Sequence, residues 1–116
     1  MSQGRPSVRT YLTFFDYDRS DLTARARQII AEAASNARAL GSNVIEVAGH
    51  EDSFNQPFYA QRVSQLRADS VAAELIRQGV PRQRIVVSAY GSSRPLVPEA
   101  DGVREPQNRR VEIVLR

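Results

Sequence analysis

The stretch from Val44 to Leu75, VIEVAGHEDSFNQPFYAQRVSQLRADSVAAEL, constrains this chain most. It begins with the β-branched, apolar alternation of a strand. It then breaks at a polar corner, Gly49-His50-Glu51-Asp52, and runs on as a long amphipathic helix. An acid at the end of a strand and a base on the following helix can face one cleft. Asp52 and Arg67 are such a pair, and they suit a ligand bearing both an ammonium and a carboxylate.

The remaining elements fall in order around this unit. Ser7 to Phe15 reads as a first strand. From Ala24 to Leu40 the positions Ile29, Ile30, Ala33, Ala37 and Leu40 recur at helical spacing, with Thr23 as the preferred cap and Gly41 as the left-handed stop. Asn43 to Gly49 is the second strand, with Val44, Ile45 and Val47 for burial. The second helix runs from Pro57 to about Gln78, with Val63, Leu66, Val71, Leu75 and Ile76 as its buried stripe. Ile85 to Tyr90 and Arg109 to Leu115 are the last strands, expected to pair antiparallel across the Gly91–Gly102 loop. The order β-α-β-α-β-β implies crossover connections and an α/β (α+β) two-layer sandwich, both helices on one face of a mixed sheet. One domain fills residues 1–116, with 1–6 expected as a flexible N-terminal segment.

Composition closes off several functions. No run approaches the roughly 20 apolar residues of a membrane span. The first residues, MSQGRPS, lack the apolar core of a signal peptide, so the expectation is a cytosolic protein or an excised domain. With no cysteine and no lysine, thiol, thiolate-metal and Schiff-base chemistry are absent. All 16 basic residues are arginine, the side chain suited to bidentate recognition of carboxylate or phosphate. They are scattered along the chain, which argues against a nucleic-acid surface.

No catalytic constellation emerges. His50 stands alone beside Glu51 and Asp52, three successive side chains that diverge, and its expected role is a hydrogen-bonded corner residue. Asp16, Asp18, Glu51 and Asp52 match no calcium-loop spacing, so no metal or cofactor is expected. For Asp52 and Arg67, spacing alone favours a plainer alternative: they pair with each other, or Arg67 reaches back to water from the margin of the apolar stripe.

Six motifs, in order, change that balance: FFDYDRSDLT (14–23), GHED (49–52), SQLRADSV (64–71), GVP (79–81), YGSSRP (90–95) and QNRRVEI (107–113). Together they resemble the OmpA-like peptidoglycan-binding domain over nearly the whole chain. The resemblance implies a non-catalytic, periplasmic, outer-membrane-associated module that holds the peptidoglycan stem peptide without a metal. It further implies that Asp52 takes the ammonium of diaminopimelate and Arg67 its carboxylate. Phe15 and Asp16 would line the same cleft, and Arg109 and Arg110 would contribute mainly structural pairing and some contact.

The departures from the family pattern gather at that cleft. Glu51 stands where the family has threonine, Ala60 where it has asparagine, and Val63 where it has leucine. Leu66 replaces a frequent arginine. Asn55 replaces a glycine and is expected to tolerate positive φ. Phe54 and Phe58 add two apolar side chains. Aromatics beside a charged corner have the composition of a protein-binding hot spot. A second reading is therefore a scaffold whose rim (Glu51, Phe54, Asn55, Phe58, Arg62, Leu66) has been retargeted, by divergence or by design, to another protein or small molecule.

Overall fold

The computed structural model describes residues 9–116. The expected flexible segment 1–6, and the Ser7-Val8 start of the first strand, lie outside the described residues. Strands β1 (Arg9–Phe14), β2 (Ile45–Gly49), β3 (Ile85–Ala89) and β4 (Arg110–Leu115) form one sheet in the order β1-β4-β2-β3. Helices α1 (Ala24–Leu40) and α2 (Pro57–Arg77) pack on one face of it and complete the two-layer α/β sandwich.

The helix ends follow local chemistry. Thr23 accepts a hydrogen bond from Ala26 N–H, and Gly41 closes α1 in the left-handed region at φ 65°. Pro57 opens α2, where its missing N–H costs nothing.

The pairing of the strands corrects the sequence expectation. β3 and β4 do not form a hairpin. Among the described residues β3 pairs only with β2, in parallel, as a crossover through α2 requires. β4 inserts between β1 and β2, antiparallel to both, with Thr13 opposite Val111 and Val47 opposite Ile113. The long 90–109 connection is what lets the chain return to the middle of the sheet.

The core lies between sheet and helices: Ile45, Val47, Val111, Ile113 and Leu115 meet Ile30, Ala33, Ala34, Val71 and Leu75. At the end of β2 the helix comes closest. A Cβ added to Gly49 would stand 1.9 Å from the Ser64 carbonyl oxygen, so only glycine fits where β2 passes under α2. Two expected core residues face outward instead. Val44 precedes β2 and is exposed, and Leu66 is exposed because the buried face of α2 runs through Val63, Arg67, Val71 and Leu75 at i, i+4 spacing. Ile76 is only half-buried.

Candidate functional site

The β2–α2 corner holds two ion pairs. Glu51, Asp52 and Arg67 all have 0% of their surface exposed. The α2 periodicity sends Arg67 into the core, where its guanidinium lies 5.4 Å from the centre of the Phe15 ring. Burial of such a group requires partners on nearly every N–H, and it has them. Nη1 donates to Glu51 Oε1 at 2.7 Å and to the His50 carbonyl. Nε donates to the Arg19 carbonyl and Nη2 to the Asp16 carbonyl. The last two acceptors are presented by a turn closed by Arg19 N–H on the Asp16 carbonyl, with Asp18 at φ 56°. Aspartate is among the few residues that accept that conformation.

Asp52 is satisfied separately. Its Oδ2 accepts Arg109 Nη1 at 3.2 Å and Glu105 N–H at 2.9 Å, and its Oδ1 accepts Phe54 N–H. Asp52 N–H donates to Glu51 Oε1, so the two pairs share an edge. Asp52 and Arg67 therefore do not pair with each other, and Arg67 does not reach water. The sequence could place an acid and a base at this corner but not tell which of two adjacent acids each arginine would choose.

The segment from Glu99 to Glu105 is fastened against the corner. Glu99 accepts Ser53 N–H, Gly102 N–H donates to the Ser53 carbonyl, and Glu105 N–H reaches Asp52. Arg104 lies on two rings, 3.8 Å from the centroid of Tyr17 and 4.6 Å from that of Phe54, which meet edge to face. Tyr17 stands within the FFDYDRSDLT motif without an expected role of its own, and Arg104 falls in none of the six motifs. Phe54 meets Tyr17 edge to face, with ring centroids 5.7 Å apart.

Phe15, Asp16 and Arg109 line one open cleft of about 420 Å³ with Phe14, Arg25 and Ile29. Glu51, Asp52, Ala60 and Arg67 do not line it; Ala60 is wholly buried in α2. Of the expected rim, Phe58 is 79% exposed, and Arg62 and Leu66 are exposed on the same face at i+4 and i+8. Glu51 is too deep to belong to that rim. Asn55 has ordinary backbone, since Asp18 is the only non-glycine residue at positive φ among the described residues.

His50 departs from its expected role. It is buried and stacked on Tyr90 with ring centroids 5.5 Å apart, but neither ring nitrogen has a hydrogen-bond partner among the described residues. Burial, reinforced by the Arg110 guanidinium, lowers its pKa to about 4. Among the described residues there is no group of three or more histidines, cysteines and acids that could hold a metal, and no helix is long and apolar enough to cross a membrane.

Comparison with known proteins matches residues 14–109 to the OmpA family. An outer membrane protein of Gluconacetobacter diazotrophicus is 54% identical over 114 residues, covering 93% of this chain and 30% of that protein. A peptidoglycan-associated lipoprotein of Pseudomonas aeruginosa is 32% identical over 92% of this chain and 64% of its own length. The chain thus spans less than two thirds of either relative. Among solved structures, the OmpA-like domain of FopA1 from Francisella tularensis superposes with a TM-score of 0.85 at 23% identity, covering 99% of this chain and 76% of that one, a likeness of fold.

Proposed function

We propose, since the chain belongs to the OmpA family of non-catalytic binding domains, that it is a periplasmic, outer-membrane-associated module that binds peptidoglycan through the diaminopimelate of the stem peptide. The relative named as a peptidoglycan-associated lipoprotein supports the cell-wall assignment. The observation that carries the reading is the pair of linked charge sites at the β2–α2 corner, one acid and one base side by side. A ligand ammonium goes to Asp52 and a ligand carboxylate to Arg67.

Both sites are occupied from within, so binding is an exchange of partners. The ammonium replaces Arg109 on Asp52, and the carboxylate replaces Glu51 on Arg67. Asp16 and Arg109, at the neighbouring cleft, meet the rest of the peptide. Glu51 already supplies the carboxylate that the ligand would bring, which weakens binding relative to a threonine there.

Titration of the folded domain with a diaminopimelate-containing stem peptide, followed by amide NMR, tests this. Shifts are expected at Asp16–Arg19 and Glu51–Ser53. Glu51→Thr, which frees Arg67 for one charge-assisted bond, is expected to tighten binding about tenfold. Silent spectra from both folded proteins would reject the reading.

A second reading rests on Phe58, Arg62 and Leu66, an exposed stripe along the first half of α2. It makes this rim a contact for a protein partner. Phe58→Ala and Leu66→Ala should then abolish that association while leaving the stem-peptide titration unchanged; unaltered association would discard it.

A further inference from the structure

The face of the sheet away from the helices carries its own pocket, of about 440 Å³, between the strands and the Tyr90–Leu96 turn. Ala48 and Val114 give it an apolar floor, while His50, Arg110 and Glu112 form a polar wall. This wall is assembled, not incidental. Arg110 Nε and Nη2 both bind Glu112 Oε2, at 2.8 and 2.7 Å, and Nη2 also donates to the Arg94 carbonyl, which holds the turn over the pocket. The Arg94 guanidinium lies 3.8 Å from the centroid of the Tyr90 ring, on which His50 is stacked.

Two members of this wall lack partners. Arg110 Nη1 and both nitrogens of His50 are buried without a partner, although each of these residues has at most 3% of its surface exposed. Buried polar groups are normally satisfied, so orphans in residues that line a cavity call for a partner, which a water, an ion or a ligand atom can supply. His50 Nε2 lies 4.0 Å from the same Glu112 oxygen that holds Arg110 through Nε and Nη2, so both residues with orphaned groups flank one carboxylate in this wall. Arg110 Nη1 offers two N–H groups and a neutral His50 offers one.

We propose that this pocket binds a small monocarboxylate, its two oxygens taking the hydrogens of Arg110 Nη1 and the His50 ring. Charge selects the class. The lining carries three arginines (Arg94, Arg110, Arg116) against two glutamates (Glu46, Glu112), a single net positive charge. That balance suits a monoanion, whereas the glutamates oppose a dianion such as phosphate. Arg110 lines this pocket and not the cleft expected for it, and none of the residues to which the proposed function gives the stem peptide lines this pocket, so the two proposals stand or fall separately.

The test is NMR of the His50 ring and Tyr90 during titration with N-acetylglycine, with neutral N-acetylglycinamide and inorganic phosphate as controls. Saturable shifts at both rings with N-acetylglycine and none with the amide are expected. Arg110→Gln should weaken binding about tenfold, the value of one charge-assisted bond. Because that variant also frees Glu112, Ala48→Leu provides a second arm. It fills the floor without touching a polar group and should abolish the shifts. Equal response to the amide, tighter binding of phosphate than of N-acetylglycine, or an unchanged titration in folded Ala48→Leu would overturn the assignment. So would a wild-type spectrum that never saturates, as when water alone serves the orphaned nitrogens.

Discussion

Replacing Arg67 by alanine leaves the Glu51 carboxylate buried with neither a cation nor water. Truncating one partner of a buried pair costs about 3–5 kcal/mol, because the surviving charge keeps its desolvation penalty. Urea denaturation of Arg67→Ala should show a loss of that size, and Glu51→Leu combined with Arg67→Met a much smaller one; a single-mutant loss below about 1 kcal/mol would mean the pair is hydrated. The same reasoning makes Arg67→Ala a poor probe of ligand binding, since it removes the scaffold with the site. His50 gives a pH signature. Burial first, and Arg110 second, hold its folded pKa near 4, against about 6.5 when unfolded. Between those values the unfolded chain binds the extra proton, so stability is full above pH 6.5 and falls as pH drops towards 4. The loss from this residue should be of the order of 3 kcal/mol and should vanish in His50→Gln, as chemical denaturation at a series of pH values would record. Sequence reading found these residues by type, but their partners depend on which side of the corner each backbone atom presents. Spacing along one chain cannot supply that.

At the scale of elements, the helices were the legible part. Thr23, Gly41 and Pro57 mark their ends by local chemistry, and local chemistry is what a sequence displays. The 90–109 connection was not legible, because a single side chain organises it from a distance. Buried Asn108 accepts Leu96 N–H and Val97 N–H on its Oδ1 and returns Nδ2–H to the Val97 carbonyl. These three bonds stand in for the ladder that the segment lacks. Asn108→Ala should therefore cost about 2–3 kcal/mol. Hydrogen exchange should show the Leu96 and Val97 amides losing protection while those of α1 keep theirs. If Leu96 and Val97 remain protected in the variant, another group holds the turn. On α2, Phe58, Arg62 and Leu66 are exposed, and the apolar type of Leu66 suits the core equally well, because one residue of helix, about 100°, separates the two faces.

Across the whole molecule, the order of strands in the chain and in the sheet differ at one place, and that place governs how the fold closes. The period-2 patterns identified four strands and the intervening helices implied crossovers, but two neighbouring strands in sequence suggested a hairpin that the sheet does not contain. A loop as long as 90–109 imposes no register, so the choice falls to burial. Val111, Ile113 and Leu115 are all fully buried, as a central strand requires, whereas Val86 and Val87 of β3 are exposed, as an edge allows. Among the described residues β1 has β4 as its only partner, and β2 is joined to β1 only through it. The last strand is thus the one without which no sheet spans the molecule. A chain ended at Asn108 loses both ladders of β4 and three core side chains, each worth about 1.5–3 kcal/mol of burial, against a total stability of roughly 5–15 kcal/mol for a domain. It should show no cooperative thermal transition by circular dichroism and poor amide dispersion by NMR, and an added peptide covering residues 109–116 should restore both by strand insertion. If the shortened chain instead melts cooperatively with a two-stranded β2–β3 core, β4 completes a sheet already formed rather than creating it.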